Sequence, residues 1–299
     1  MRALAWFLAL CAVALATIPA FTYPAWLLLH PHFDFPFHRI GERIAMLALL
    51  IGFVLVARRL GLADRASLGY GAPRRQFLRE MALALAIGVT TMLAVVALMT
   101  ALGLLDWSPA AALSASRLAK VIGQGLLSGI AVALIEETFL RGAMLTAVQR
   151  ESGSTTAIVS TAILYSATHF IGKFHIAADQ VTPHSGVDLL AGFLQTFSHP
   201  LAIADAFLCL FAVGAVLAAV RVATGNIAAC LGLHAGWVWV ILVAHEMSHP
   251  QESSPLRFLL SRFDGFIGWL VLAWTAVLGW VLWRFYKRRA GQMPAPTVP

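Results

Sequence analysis

The stretch Gly129-Ile130-Ala131-Val132-Ala133-Leu134-Ile135-Glu136-Glu137-Thr138-Phe139-Leu140-Arg141-Gly142 decides the fold, because an apolar run carries straight into two adjacent carboxylates and an arginine. The run extends from about 119 to about 148. At 1.5 Å per residue that is enough helix to cross a hydrocarbon core about 30 Å thick. An ionisable group at the centre of such a helix costs at least about 2.5–3.5 kcal/mol, so it is kept where it faces a bundle interior or a cavity.

Working outward, further apolar runs fall near 4–29, 40–57, 80–104, 155–176, 200–221, 226–248 and 264–285. Lipid offers no hydrogen bonds to the backbone, and long runs without period-two alternation leave only helices. The expected fold is all-α, a polytopic transmembrane bundle of about eight helices. The chain is 60% hydrophobic and 12% charged, where soluble domains average about 45–50% and about 25%. No stretch is left for a separate soluble domain, so residues 1–299 read as one membrane domain. The first run follows Arg2 and continues through Trp26 to Leu29, longer than the core of a signal peptide, and is read as a retained span.

The net charge of +7 is explained by topology and calls for no nucleic-acid partner. With the N-terminus inside, the cytoplasmic segments hold Arg2, Arg58, Arg59, Arg65, Arg74, Arg75, Arg79, Arg150, Arg221, Arg284, Lys287, Arg288 and Arg289. The outer segments receive only Arg39, Arg43, Arg117, Lys120, Lys173, Arg257 and Arg262. The positive-inside rule therefore puts both termini in the cytoplasm, which fits eight spans and a bacterial plasma (inner) membrane. Cys11, Cys209 and Cys230 lie in apolar runs, where a thiol behaves as a small hydrophobe, and no disulfide framework is indicated. The longest loop, 172–200, is expected outside, with a short interfacial helix over 187–197. The Pro-rich tail 291–299 is expected to be disordered.

Glu137 and Arg141 stand at i and i+4 with the acid N-terminal, the favoured orientation for an ion pair. Glu136 points about 100° away, free to face a cavity and act as a general base. A helix-packing network in which both carboxylates share Arg141 is the plainer alternative. The fifth run adds Tyr165-Ser166-Ala167-Thr168-His169 and the seventh adds Leu233-His234-Ala235-Gly236-Trp237-Val238-Trp239. One histidine in an apolar helix is weak evidence, but two with a glutamate pair on a third helix make an active-site candidate. Gly125 and Gly129 in the fourth run, and Ala228, Gly232 and Gly236 in the seventh, let backbones approach closely beside His234.

Glu-Glu-x-x-x-Arg, an aromatic-x-x-x-His and His-Ala-Gly-Trp, in that order on three apolar runs, resemble the CPBP family of intramembrane proteases, which includes CaaX prenyl endopeptidases and relatives implicated in bacteriocin immunity. The resemblance covers about 118–248, a catalytic core within the single domain. It implies that Glu136 activates the attacking water, that His169 helps to hold it, that Glu137 and Arg141 support the site, and that His234 stabilises the oxyanion. An oxyanion donor is worth about 2.7–4 kcal/mol in acyl transfer. Two positions depart from the family pattern. Tyr165 stands where Phe is usual, a mild change, and Val238 stands where the family carries Asn, removing a polar atom. Trp237 and Trp239 each offer an indole donor nearby, and what replaces the Asn stays open. Glu136, His169 and His234 are also a conceivable zinc or other divalent set with one open position, or a set that works on water without metal. The residues leave that open.

His245-Glu246-Met247-Ser248-His249 matches the H-E-x-x-H zinc-protease pattern, and Asp264-Gly265 follows. The motif runs into Pro250 at the outer edge of the seventh run, where a helix frays, which argues against it. His245 falls three turns after His234 on nearly the same face and is expected at the mouth of one cavity. The leading expectation is an intramembrane endopeptidase acting on a membrane-associated peptide or protein. Its rivals are a non-catalytic CPBP relative serving as a membrane chaperone or immunity factor, and a proton-coupled transporter using Glu136 and Glu137. The sequence does not indicate whether the substrate is prenylated.

Overall fold

The computed structural model describes residues 1–108, 114–172 and 174–290. Lys173 and the tail 291–299 lie outside the described residues. The long helices are α1 (Arg2–Leu29), α2 (Phe37–Arg59), α3 (Arg74–Ala101), α4 (Ala115–Glu137), α5 (Leu145–Thr168), α7 (Ala204–Thr224), α8 (Ala228–Met247) and α9 (Trp269–Ala290), with a shorter α6 (Ser185–Gln195) between α5 and α7. The protein is a helical membrane bundle. The interfacial helix expected over 187–197 is α6, whose Leu189 and Phe193 pack with Ile18 and Phe37.

Seven helical segments are long and apolar enough to span a bilayer, because the fourth and fifth runs form one 54-residue segment, Ala115–Thr168. That segment is bent back on itself at Gly153, whose φ of 82° and ψ of 168° are not helical. A straight helix would set Arg141 and Tyr165 roughly 36 Å apart. Instead the Arg141 guanidinium lies 4.6 Å from the centre of the Tyr165 ring. Gly153 is midway between the two residues, so the limbs run antiparallel and make two passes. The polar sequence Arg150-Glu151-Ser152-Gly153-Ser154 supplies the turn, and only glycine adopts that φ without strain. The other departure is the end of α5 at Thr168, short of the expected 176, so that His169 is a C-terminal cap and not a mid-helix residue.

The loops sort to two ends. At one end Arg150 bonds Ser67 Oγ at 2.7 Å, Ile227 N–H donates to Gly69 O at 3.0 Å, and Arg221 reaches Thr146. There Asp64 Oδ1 accepts from Ser67 N–H, and those bonds hold its carboxyl below the usual carboxylate range. At the opposite end β1 (Leu105–Trp107) pairs antiparallel with β2 (Ser248–Pro250), a small ribbon in an otherwise helical protein. Arg117 meets Glu246 at 3.2 Å there. The segments assigned to the cytoplasm on charge thus share one end, and the segments assigned outside share the other.

The α8 helix is the axis of the bundle, buried continuously from Ala228 to Trp237. Its small residues explain why. A Cβ on Gly236 would come within 2.8 Å of Leu85 O on α3, and a Cβ on Gly129 of α4 within 2.8 Å of Ala235 O on α8. Backbone therefore packs on backbone on two sides of His234, as the glycine stripes suggest.

Candidate active site

The motif between α4 and α5 is not plain α-helix. Thr138–Met144 is a π-helix, buried from Leu140 to Met144. An inserted residue of this kind shifts every side chain before it by about 100° relative to those after it, and such segments cluster at functional sites. Gly142 allows the wider turn to lie against the α2–α3 loop, since a Cβ there would approach Leu68 O to 2.8 Å. Tyr70 of that loop holds the π segment by a 2.6 Å hydrogen bond to Thr138 Oγ1.

Glu137 and Arg141 are both fully buried. Arg141 donates to Glu137 Oε1 at 3.0 Å and to Gly214 O on α7 at 3.1 Å, and its guanidinium stacks on Tyr165. His234, 2% exposed, places Nδ1 2.8 Å from the same Glu137 oxygen. An ionised carboxylate only accepts, so the proton is on Nδ1 and Nε2 is turned elsewhere. His169 is fixed similarly, with Nδ1 2.7 Å from Tyr165 O. A carbonyl only accepts, which leaves Nε2 of neutral His169 as a basic lone pair. The Tyr165 ring links the group, 4.5 Å from the His169 ring and 5.9 Å from the His234 ring.

Glu136 is half-buried, and its Oε2 is buried without a hydrogen-bond partner among the described residues. It makes no hydrogen bond to either histidine. The structure thus brings Glu137, Arg141, His234, Tyr165 and His169 into one contact chain and sets Glu136 beside it with an unused acceptor. Both indoles put forward as substitutes for the missing Asn are already committed. Trp237 Nε1 donates to Thr91 Oγ1 at 3.2 Å, and Trp239 Nε1 donates to Ile122 O at 2.9 Å. Neither indole N–H is free in this arrangement, because each has taken an acceptor on a neighbouring helix. Val238 itself lines an internal cavity beside His234.

Among the described residues no three of His, Cys, Asp and Glu are gathered as a cation-holding group. Glu136, His169 and His234 therefore do not fit a three-ligand zinc site as they stand, and no step is derived through a metal. The second candidate, His245-Glu246-Met247-Ser248-His249, loses its helical spacing. Ser248 is extended (φ −148°, ψ 162°), which turns His249 off the helix and into β2. Glu246 is taken by Arg117, and exposed His249 lies 3.5 Å from Asp106. Asp264 Oδ1 caps the backbone of Phe266 and Ile267. His245 packs against Phe266 and is absent from the lining of the cavity beside His234, contrary to its expected place at the mouth.

Signals that sequence reading passed over are Tyr70, Thr138 and the carbonyl of Gly214, all of which support the buried pair. Tyr70 sits in a turn-rich loop with nothing to mark it, and a carbonyl has no sequence signature.

Residues 118–240 match the family model described as type II CAAX prenyl endopeptidase Rce1-like. No curated protein and no solved structure matches. The family match supports a CPBP-family intramembrane protease, a class that acts on membrane-associated proteins within a bilayer.

Proposed function

We propose that this integral membrane protein is an endopeptidase that hydrolyses peptide bonds of membrane-associated substrates, with Glu136 as the base that activates water. The observation that carries this reading is the contrast between the two glutamates. Glu137 Oε1 is held by both Arg141 and His234, leaving only its Oε2 unpaired, whereas Glu136, beside the same cluster, has neither a hydrogen bond nor a counter-charge among the described residues. A carboxylate kept in an apolar span with an unused acceptor is suited to take a proton from water.

In the proposed reaction Glu136 accepts a proton from a water molecule while the oxygen adds to the scissile carbonyl carbon. His169 Nε2 accepts a hydrogen bond from that water and orients it. The carbonyl π electrons move to oxygen, and the resulting oxyanion is met by His234 Nε2–H. That donor exists only when both ring nitrogens carry a proton, Nδ1–H facing Glu137. Glu136, Glu137, Arg141 and imidazolium His234 together are charge-neutral, the state least costly in hydrocarbon. The tetrahedral adduct then expels the amine, which takes its proton from Glu136, and one water has been consumed for one peptide bond. The helices hold Glu136 and His169 about 25 Å from the Gly153 turn, within a hydrocarbon core about 30 Å thick, so the substrate enters laterally. The proposed setting is a bacterial plasma membrane with both termini cytoplasmic.

The test is cleavage of a membrane-anchored peptide library by the purified chain in nanodiscs. Glu136→Gln is expected to abolish cleavage with the melting curve retained. Full activity of the folded variant refutes the assignment. Val238 and the commitment of both indoles favour one rival, a non-catalytic CPBP relative, and it predicts no cleavage by the wild-type chain while substrate segments still bind.

A further inference from the structure

A cavity of about 70 Å³ lies beside His234, between α3, α5, α7, α8 and α9. Its lining is almost wholly apolar, with residues such as Leu210, Val238 and Ile267, and four polar side chains are set into it: Thr91, Tyr165, His234 and Thr275. Thr91 is satisfied, since its hydroxyl donates to Ile87 O at 2.8 Å and accepts from Trp237. The other three are different. Tyr165, His234 and Thr275 are 3%, 2% and 4% exposed, yet the Tyr165 hydroxyl, His234 Nε2 and the Thr275 hydroxyl have no hydrogen-bond partner among the described residues.

Thr275 is the informative member. The helix hydroxyls of Thr22, Thr90, Thr100 and Thr161 all donate back to the carbonyl four residues earlier. That is the default for threonine in an apolar helix, because it satisfies the donor at no cost in space. Thr275 forgoes it and lines the cavity instead. Buried polar atoms are almost always paired with protein or with water, and an apolar cavity stays dry only when nothing polar lines it. Three of the residues lining this cavity carry a polar atom without a hydrogen bond among the described residues, and its volume exceeds the roughly 10–15 Å³ that a single water needs.

We propose that the cavity is a water-binding site serving hydrolysis, in which Thr275 holds water against His234 Nε2 and the Tyr165 hydroxyl. The class of ligand is water, stored in a hydrocarbon layer that otherwise contains almost none. Tyr165 borders both this cavity and the carboxylate cluster, packing its ring against Arg141 and both histidines. Thr275 is a positioning residue. It acts on the reacting groups through water, and it lies on α9, beyond the stretch 118–240 that matches the family. The use of the water rests on the protease reading, but its presence does not.

Two readouts separate those claims. X-ray hydroxyl-radical labelling of the full chain in nanodiscs modifies buried side chains that touch bound water. Tyr165 is expected to label well above Phe7, which is fully buried in the core, and to fall to the Phe7 level in Thr275→Val. In peptide cleavage Thr275→Val is expected to lower kcat about tenfold, the worth of one hydrogen bond on the water held against His234 Nε2, with KM unchanged, and Thr275→Ser to restore it. Labelling of wild-type Tyr165 no faster than Phe7 overturns the water site, whatever the activity. Unchanged kcat in Thr275→Val, with Glu136→Gln inactive, overturns its role in hydrolysis. If Thr275→Val does not fold, wild-type labelling and the Thr275→Ser kinetics, expected near wild type, carry the decision. Active Glu136→Gln with strong Tyr165 labelling removes the protease assignment and keeps the water.

Discussion

Replacing Arg141 with methionine keeps most of the side-chain volume and removes, among the described residues, the only cation in contact with Glu137 other than His234. The structure sets the size of the loss. Two hydrogen bonds from a charged donor disappear, at 3.0 Å to Glu137 and 3.1 Å to Gly214 O, together with a guanidinium–ring contact at 4.6 Å. Charged hydrogen bonds are worth about 1.5–3 kcal/mol each and a desolvated cation–π contact about 2 kcal/mol. Relief of the guanidinium's own burial offsets part of that sum. Breaking a fully buried pair by removing one partner typically costs about 3–5 kcal/mol net, since the remaining carboxylate is left in low dielectric. Arg141→Met should therefore raise the unfolding equilibrium constant by at least roughly a hundredfold. Reversible unfolding in mixed SDS micelles, followed by tryptophan fluorescence, measures it. Glu137→Gln combined with Arg141→Met should recover about 2 kcal/mol relative to the sum of the single variants, because an amide at 137 carries no charge and still accepts from His234. Additivity within about 0.5 kcal/mol would refute the coupling and with it the view that Arg141 exists to neutralise Glu137.

Glu246→Gln and His249→Ala should leave cleavage within about threefold of wild type, since both residues sit at the bundle end in exposed ion pairs worth at most about 1 kcal/mol. Inactivity of either folded variant would restore the H-E-x-x-H motif as the centre. A side chain on Gly232 has to displace the backbone of α3 at Met81 and Leu85, so Gly232→Val should cost about 1–3 kcal/mol or more in the same micelle assay. Gly123, with nothing within 4 Å of where a Cβ would stand, should tolerate alanine and gain up to about 1 kcal/mol of helix propensity. If Gly232→Val were the milder of the two, the backbone-on-backbone contact would be wrong. For orientation, Arg65→Cys should react with an impermeant maleimide only from the cytoplasm and Asp188→Cys only from outside, and labelling of both from one side would overturn the two-ended arrangement.

The bundle itself was legible because lipid leaves the backbone little choice: each apolar run became a helix, with ends shifted by a few residues. The pairing of Glu137 with Arg141 was legible from i, i+4 spacing, and it survives the π-helix because the long arginine reaches across the wider turn. The turn at Gly153 was half visible, as a polar gap between runs, but its φ was not. The fates of Trp237 and Trp239 were illegible, because which acceptor an indole finds depends on Thr91 and Ile122 of other helices. Thr275 carried no signal at all. One hydroxyl in an apolar helix is ordinary, and only its failure to bond back, seen in three dimensions, sets it apart. The H-E-x-x-H motif failed for a local reason, since β-pairing with residues 105–107 draws Ser248 into extended backbone.

The hairpin closed at Gly153 also bears on how the protein is made. Glu136, Glu137, Arg141, Tyr165 and His169 all lie on its two limbs, joined by a short local connection, so they meet as soon as that pair of helices has left the ribosome and entered the membrane. His234 arrives later, on α8, after the short α6 and the α7 span. In the interval Glu137 has one counter-charge, supplied from its own stretch of sequence four positions away, and Glu136 alone remains unpaired on the nascent hairpin. An arginine that looks like a support for the finished site is thereby a chaperone to its own neighbour during biogenesis, which is why its loss should show first as missing protein and only afterwards as missing activity.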